Sequence, residues 1–145
     1  MLLAVLERRL DYSVLHADVH VLAVGGVRVQ EPAADLSIAL AVASAMRSVP
    51  IPPGLVACGE VGLAGEVRNI PHVERRLREA LRSGFSTALV PASAADLART
   101  TDLKIVPVRS VAEALRYLGI PTGERSHQRA ALREAGRAPA RRLLA

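Results

Sequence analysis

The spacing of apolar residues in the first third of the chain predicts a helix, a strand and a second helix. Apolar side chains over residues 2–10 fall on one helical face. Residues 18–24, DVHVLAV, alternate and are rich in β-branched side chains, so they predict a strand, which two glycines then interrupt. Pro32 suits the first turn of a helix, because the N–H that it lacks would have no partner there. The helix over residues 33–47 is apolar on nearly every side, so we expect it to be central and buried.

After the helix over residues 33–47, the sequence up to residue 119 predicts short strands that alternate with helices. Residues 55–70, LVACGEVGLAGEVRNI, predict two strands about a turn at residues 63–65. Next come a helix within HVERRLREALRSG, a strand STALVP, a short helix SAADLAR, a strand LKIVPV and a last helix SVAEALRYLG. Gly84 and Gly119 are expected C-terminal caps, and Ser110 is an expected N-terminal cap. This alternation predicts an α/β (α+β) fold in which crossover helices join the strands of a sheet.

The composition limits which residue types can form the core and which class of partner the chain can bind. Half of the residues are apolar, but there are only two Tyr, one Phe and no Trp. The core must therefore consist of Ala, Val, Leu and Ile, which suits buried strands. The same bias argues against a module that stacks nucleic-acid bases on aromatic rings. A length of 145 residues suggests a single domain.

The single cysteine, Cys58, excludes an intrachain disulfide framework and a cysteine zinc site. A reducing, cytoplasmic setting is the simplest fit, and the apolar run around Cys58 predicts a buried structural thiol. No apolar run reaches the roughly 18–20 residues that a membrane span requires. The opening MLLAVLERRL is typical of an amphipathic helix rather than of a signal peptide, so we expect no membrane partner.

The positive charge of the chain is concentrated at its C-terminal end. Residues 1–123 carry 13 Lys or Arg and 12 Asp or Glu, whereas residues 124–145 carry six Arg and two Glu. We therefore divide the chain into a domain at residues 1–119 and a basic, Arg/Ala-rich tail at residues 120–145. Residues 126–135 could form a helix, and we expect the last ten residues to be disordered.

Motifs for nucleotide and metal chemistry are missing from the sequence. GGVRVQEP lacks the Gly-Lys-Ser/Thr ending of a phosphate-binding loop, and the glycines of GEVGLAGEV serve a predicted turn. His16 and His20 are four residues apart, but strand geometry would separate them by about 13 Å. We therefore expect no metal and no cofactor in this chain.

Three phrases and the order of the elements carry a family resemblance. The phrases are DVHVLAVGGVRVQEPAADLSIALAVAS, GEVGLAGEVRNIPHVERRLREALRSGF and ALVPAS. Over residues 1–119 the chain resembles the proteolytic domain of Lon-type proteases. It resembles more closely the C-terminal Lon-like domain of the bacterial RadA (Sms) family of DNA repair and recombination proteins. The resemblance implies a Lon proteolytic-domain-like fold, related to the second domain of a ribosomal protein, with a mixed sheet and packed helices.

The resemblance also implies where the catalytic dyad of an active Lon protease would lie. Such proteases carry the nucleophilic serine in a helix start that reads roughly Asp-Gly-Pro-Ser-Ala-Gly, and the matching position here is Ala33. The partner lysine lies after the hairpin, in Gly-Gly-Leu-Lys-Glu-Lys, and the matching position here is Glu74. Alanine has no hydroxyl for a base to activate. The dyad is therefore degenerate, and we expect that this chain is not an enzyme.

A residual Lon-type serine peptidase is the alternative function, and other residues would have to serve it. Ser37 lies one helical turn from Ala33, and His72 lies close to Glu74 in the sequence. A hydroxyl inside a helix, however, usually bonds back to a carbonyl of the preceding turn. Lys104 is the only lysine and belongs to a predicted strand outside the dyad segment. A third function left open is that of an adaptor that docks replication or recombination partners.

The resemblance implies that the chain is one domain of a larger, ATP-driven recombination and branch-migration motor. A RecA-like ATPase with ATP and magnesium, and a zinc finger, would belong to the parent protein. The implied partners are further copies in a homo-hexameric ring, DNA, and a recombinase or replicative helicase. Candidate DNA contacts are the arginines of the third helix and of the tail: Arg75, Arg78, Arg82, Arg125, Arg129, Arg133, Arg137, Arg141 and Arg142. For the helix arginines, a solvated face or a subunit contact with acidic residues is the alternative, and for the tail a solubilising end.

Overall fold

The computed structural model describes residues 1–22, 31–99 and 101–123, which form an α/β fold. The helices are α1 (Leu2–Leu10), α2 (Asp35–Arg47), α3 (Val73–Arg82) and α4 (Val111–Tyr117). The strands are β1 (Leu55–Ala57), β2 (Glu60–Val61), β3 (Val67–Arg68), β4 (Thr87–Pro91) and β5 (Lys104–Val108). Short 3-10 helices span Val14–His16, Pro32–Ala34 and Ala92–Arg99. In the described part of the chain, no helix is both long and apolar enough to cross a membrane.

The central sheet is parallel and has the strand order β1-β4-β5. Val56 of β1 lies opposite Ala88 of β4, which in turn lies opposite Ile105 of β5. Parallel neighbours need a crossover connection, because the chain must return to the same edge of the sheet before the next strand begins. α3 precedes β4, and the 3-10 helix Ala92–Arg99 connects β4 to β5. The predicted α/β class and its crossover connections are confirmed.

Strand β4 separates two apolar clusters, because successive side chains of a strand point to opposite faces. Leu89 belongs to the cluster formed with α1, α2 and α4, whereas Ala88 and Val90 belong to the cluster beneath α3. Leu36 and Leu40 are at most 1% exposed, which confirms that α2 is central. Apart from Tyr12, the buried core side chains of the described residues are aliphatic, as the composition predicts.

The prediction of two strands over residues 55–70 is wrong, because this segment forms three. β1 joins the parallel sheet, whereas β2 and β3 form a separate antiparallel hairpin. The break falls at Gly59, whose N–H donates to the carbonyl of Ala33 (2.9 Å) and whose carbonyl accepts from the N–H of Leu36 (3.0 Å). Its backbone groups are therefore occupied by the start of α2 and cannot continue a strand. The predicted turn is confirmed, with Gly65 at φ +83°.

The strand predicted over residues 18–24 does not form in its described part, residues 18–22. Val21 and Leu22 are 62% and 87% exposed. A strand needs the backbone groups of a neighbour, and none of the described strands pairs with these residues. Alternation of apolar side chains does not supply such a neighbour. Residues 23–30 lie outside the described residues.

The predicted helix caps are confirmed. Gly84 and Gly119 follow the ends of α3 and α4 at φ +84° and +68°, a conformation that favours glycine. The Ser110 hydroxyl accepts a hydrogen bond from the N–H of Glu113 at the start of α4, at 3.2 Å.

Two helices differ in kind from the prediction. Pro32 begins a 3-10 helix rather than an α-helix, and α2 itself begins at Asp35. The N–H of Ala34 bonds to the carbonyl of Glu31 at 3.2 Å, the three-residue spacing of a 3-10 turn. The short helix predicted within SAADLAR is likewise a 3-10 helix, Ala92–Arg99.

The folded body continues beyond residue 119, to the last described residue. Ile120 is buried, and the Tyr12 hydroxyl donates to the carbonyl of Pro121 at 2.9 Å. The N–H of Gly123 donates to the carbonyl of Leu10, also at 2.9 Å. These bonds fasten the segment after α4 to the end of α1.

Candidate functional site

A cleft of about 350 Å³ lies between the start of α2, the end of β1 and one face of α3. Ala33, the position at which the resemblance places a nucleophile, is one of its lining residues and is only 5% exposed. We call this site the Ala33 cleft. Its lining residues are Glu31, Ala33, Ala34, Ser37, Val56, Ala57, Cys58, Arg76, Leu77 and Ala80.

The one hydroxyl among the residues that line the Ala33 cleft is already engaged. Ser37 Oγ donates to the carbonyl of Ala34 at 2.8 Å, three residues back along the chain. This agrees with the expectation that the serine bonds to the backbone of the preceding turn. The cationic group of the cleft, Arg76, has hydrogen-bond donors and no acceptor, so it cannot serve as a general base. The lining residues therefore contain no hydroxyl aligned with a general base.

Cys58 contributes a thiol to the same cleft. The side chain is half-buried rather than fully buried. Burial raises the pKa of the Cys58 thiol, and the positive charge of Arg76 opposes that rise. The thiol is therefore protonated at neutral pH, and a protonated thiol is a poor nucleophile. This supports the predicted structural role for Cys58.

An ion pair between Arg76 of α3 and Glu31 joins two walls of the Ala33 cleft. Arg76 Nε also donates to the carbonyl of Pro71 at 3.2 Å, so the guanidinium is held from two sides. Sequence reasoning missed this pair. The two residues are 45 positions apart, and no periodic or spacing signal joins them.

The other residues proposed for a dyad do not reach the Ala33 cleft. Glu74 is exposed on the first turn of α3 and lines two cavities on another side of that helix. His72 is exposed and lines one of those cavities, so Ser37 and His72 are not brought together. Lys104 is exposed on β5, where its Nζ lies 5.5 Å from an aromatic ring centre. Of the sequence-predicted catalytic positions, the cleft thus contains Ala33 and Ser37.

The basic side chains predicted on the third helix are all exposed. Arg75, Arg78 and Arg82 follow the three- and four-residue spacing of one face of α3. Arg82 lies 3.5 Å from Glu79 of the same helix, and in the described part of the chain Arg75 and Arg78 form no ion pair. The tail positions Arg125, Arg129, Arg133, Arg137, Arg141 and Arg142 lie outside the described residues.

Comparison with known proteins identifies relatives of this chain. It is 39% identical to the DNA repair protein RadA of Bacillus subtilis over 117 residues, which are 80% of this chain and 26% of the relative. It is 43% identical to the DNA repair protein RadA of Escherichia coli over 115 residues, 79% of this chain and 25% of the relative. For the protein of that name from Mycobacterium tuberculosis the identity is 47% over 93 residues, 64% and 19% of the two chains. The chain thus spans about a quarter or less of the length of these relatives.

A family model matches more than half of the chain. The family is described as subunit ChlI of Mg-chelatase, and the match covers residues 14–94. This range contains every residue that lines the Ala33 cleft, together with the β2–β3 hairpin and α3. The chain therefore belongs to the family described as subunit ChlI of Mg-chelatase, and it is related to the DNA repair protein RadA.

Proposed function

We propose that the chain is a noncatalytic, Lon-like domain of a RadA-type DNA repair and recombination protein. In this role the domain helps its parent protein to assemble as a homo-hexameric ring and offers basic side chains to DNA. The observation that carries the proposal is the composition of the Ala33 cleft, which holds a methyl group at the position of the nucleophile. The names of its relatives support the connection with DNA repair.

Three features of the Ala33 cleft support the loss of peptidase chemistry. Ala33 has no hydroxyl, and the Ser37 hydroxyl donates to a backbone carbonyl. Arg76 has no hydrogen-bond acceptor, and it is paired with Glu31, the one carboxylate among the lining residues. Acyl transfer to a side chain needs a nucleophile within hydrogen-bond reach of a base that can take its proton. A retained fold with this cleft suits a binding or assembly role.

The exposed arginines of α3 support the proposed contact with DNA. Arg75 and Arg78 are free of ion pairs in the described part of the chain, so no carboxylate has to be displaced before a phosphate binds. Duplex DNA presents one phosphate about every 1.7 Å of its axis, and each neutralised phosphate adds to the salt dependence of binding. The six arginines of residues 124–145 add cationic groups to the same chain.

The remaining activities would reside in other parts of the parent protein. We propose that a RecA-like ATPase with ATP and magnesium, and a zinc finger, lie in those parts. A recombinase or a replicative helicase is the proposed protein partner. In the cell, the domain would act in the cytoplasm, where the chromosome is.

Charge reversal in the full chain tests the DNA contact. Binding of a fluorescent duplex is titrated at several salt concentrations for the wild type, for R78E/R82E, and for a variant with the six tail arginines changed to Gln. R109E/R116E is the matched control, because both of its arginines are exposed and lie outside α3, one directly after β5 and the other on α4. We expect weaker binding and a salt slope that falls by about one for each phosphate that the variant no longer neutralises. If the control variant weakens DNA binding by the same amount, the effect depends only on the net charge of the chain and not on the arginines of α3.

Two further measurements test the scaffold and the loss of catalysis. Sedimentation of the full chain should show an assembly larger than the 15.4 kDa subunit. A casein or fluorogenic-peptide assay should show no turnover above that of the Ser37→Ala variant. Turnover that disappears in Ser37→Ala would establish the peptidase alternative instead.

A further inference from the structure

Two adjoining cavities form a groove along another side of α3 from the Ala33 cleft. Their volumes are about 450 and 430 Å³, and both are lined by Glu74, Arg78 and Leu97. The groove runs between α3 and the chain that follows β4, from the 3-10 helix Ala92–Arg99 to residue 102. We call it the α3 groove.

The α3 groove has an apolar floor and a rim of mixed charge. Its floor includes Ile70, Val73 and Leu77, which are buried, and Leu81, which is 39% exposed. Its rim carries three carboxylates and two guanidiniums, namely Glu74, Asp96, Asp102, Arg75 and Arg78. The surplus of negative charge works against a phosphate backbone inside the groove. It favours a protein surface that offers an apolar side chain next to basic groups.

The tip of the β2–β3 hairpin, residues 62–66, is such a surface. Leu63 is 69% exposed at the turn, and its carbonyl accepts a hydrogen bond from Arg9 Nε at 3.3 Å. The Cβ position of Gly65 lies 3.6 Å from Val5 Cγ1, so the turn packs directly on α1. Arg8 precedes Arg9 in the last turn of α1, and it is exposed. The carboxylate of the tip, Glu66, is ion-paired with Arg68. The hairpin tip therefore presents a leucine beside the two arginines of α1.

We propose that the hairpin tip of one copy of this chain seats in the α3 groove of a second copy. Leu63 would lie against Leu81 and Leu97 on the groove floor. Arg8 and Arg9 would then face the carboxylates of the groove rim. The contact would thus join an exposed leucine to an apolar floor, and basic side chains to a rim with a surplus of carboxylates.

This contact joins two different surfaces, so each copy keeps a free hairpin tip and a free α3 groove for further neighbours. Repetition of such a head-to-tail contact closes into a ring when the rotation between copies divides a full turn. The inference rests on the proposed scaffold function, for which it supplies the two contacting surfaces.

Cross-linking of two single-cysteine variants tests the contact directly. In the full chain with Cys58→Ala, one variant carries Ala64→Cys beside Leu63, and the other carries Ser93→Cys in the α3 groove. We expect a disulfide-linked dimer when the two variants are mixed and oxidised, and none from either variant alone. No dimer from the mixture would overturn the proposal. Self-linking of Ser93→Cys would also overturn it, because grooves would then face each other.

Mass photometry and sedimentation of the full chain give a second test without introduced cysteines. Leu63→Asp should weaken self-association about tenfold or more, whereas Tyr117→Asp, which changes an exposed aromatic on α4, should not. D96R/D102R should weaken association, and adding R8D/R9D in the same chain should restore it.

The outcomes separate this contact from the scaffold function itself. A wild-type assembly that Leu63→Asp and D96R/D102R leave intact would overturn the contact and leave the scaffold function standing. A wild-type chain that stays monomeric over the whole concentration range would overturn both.

Discussion

The guanidinium of Arg76 is ion-paired with the carboxylate of Glu31 across the Ala33 cleft. The pair connects α3 with the residue that precedes the 3-10 helix Pro32–Ala34, and so with the start of α2. The Arg76 side chain is 30% exposed and that of Glu31 is 50% exposed, so water screens the attraction only in part. The contact therefore joins α3 to the start of α2 beside Ala33.

Replacing either partner of this pair should destabilise the fold modestly. Arg76→Gln is expected to lower the free energy of unfolding by about 1–2 kcal/mol, because the variant also lacks the bond to the Pro71 carbonyl. Glu31→Gln should cost less than about 1 kcal/mol. Urea titrations of both variants and of the double variant should give a coupling energy of about 0.5–1 kcal/mol.

A matched control for this pair is the exposed pair of Arg82 and Glu79, whose side chains are 76% and 68% exposed. Arg82→Gln should change the free energy of unfolding by less than about 0.5 kcal/mol. If the loss of unfolding free energy in the double variant equals the sum of the losses in Arg76→Gln and Glu31→Gln, the pair contributes no net interaction to stability.

Ala33→Ser should not create a peptidase. The new hydroxyl would enter a cleft whose one carboxylate, that of Glu31, is ion-paired with Arg76, so the cleft offers no unpaired base to take the hydroxyl proton. Assays with casein and with fluorogenic peptides should give turnover indistinguishable from that of the wild type. We expect the same for A33S/E74K, since residue 74 lies on a different side of α3 from the cleft. Turnover by A33S/E74K alone would show that a lysine at position 74 reaches the cleft.

Tyr12→Phe should destabilise the fold and change its response to alkaline pH. The Tyr12 hydroxyl donates to the Pro121 carbonyl at 2.9 Å, and removal of this bond should cost about 1 kcal/mol at neutral pH. Burial raises the pKa of Tyr12 above its usual 10.0, although Arg47 opposes the rise. The folded state therefore holds this proton more tightly than the unfolded state does.

The stability of the wild type should consequently fall as the pH rises through about 10 and beyond. Tyr12→Phe should lack this part of the decrease, so the two stability curves should converge at alkaline pH. Urea titrations between pH 7 and pH 11 measure the difference. Parallel curves over that range would mean that the pKa of Tyr12 is the same in the folded and unfolded states.

Gly84→Ala should cost about 1 kcal/mol or more of unfolding free energy. Gly84 adopts φ +84° after α3, where a Cβ atom is unfavourable, although no other group crowds the position. Thermal unfolding should show a lower melting temperature for this variant. Ser83→Ala is the matched control, because Ser83 has φ −82° and is exposed. An equal effect in both variants would trace the destabilisation to something other than the positive φ.

Local sequence patterns were sufficient for much of the fold. The apolar stripe Val73, Leu77, Ala80 and Leu81 predicts α3, although Leu81 is 39% exposed. The side chain of Ser110 predicts the start of α4. Such signals are local, because a cap or a helical face is formed by residues within one or two turns of each other. The strand predicted from residue 18 does not form in residues 18–22 for the converse reason, since a strand depends on a neighbour that is distant in the sequence.

For the candidate site, too, some features can be predicted from the sequence and others cannot. The absence of a hydroxyl at residue 33 can be read from the sequence once the resemblance supplies the alignment. The orientation of the Glu74 and Arg76 side chains cannot be predicted from the sequence. These residues are two apart and therefore point in directions about 200° apart around α3. Which of them meets the start of α2 depends on how the apolar face of α3 packs against β4.

By itself, the sequence determined the aliphatic core, the order of most helices and strands, the helix caps and the lack of a nucleophile at Ala33. Each of these follows from residue types or from short-range spacing. Only the tertiary structure decided that Gly59 divides one predicted strand in two and that Arg76 is paired with Glu31. The α3 groove beside Glu74 is likewise a feature of the tertiary structure that the sequence does not predict. These features depend on contacts between segments far apart in the sequence, and packing, not periodicity, sets such contacts.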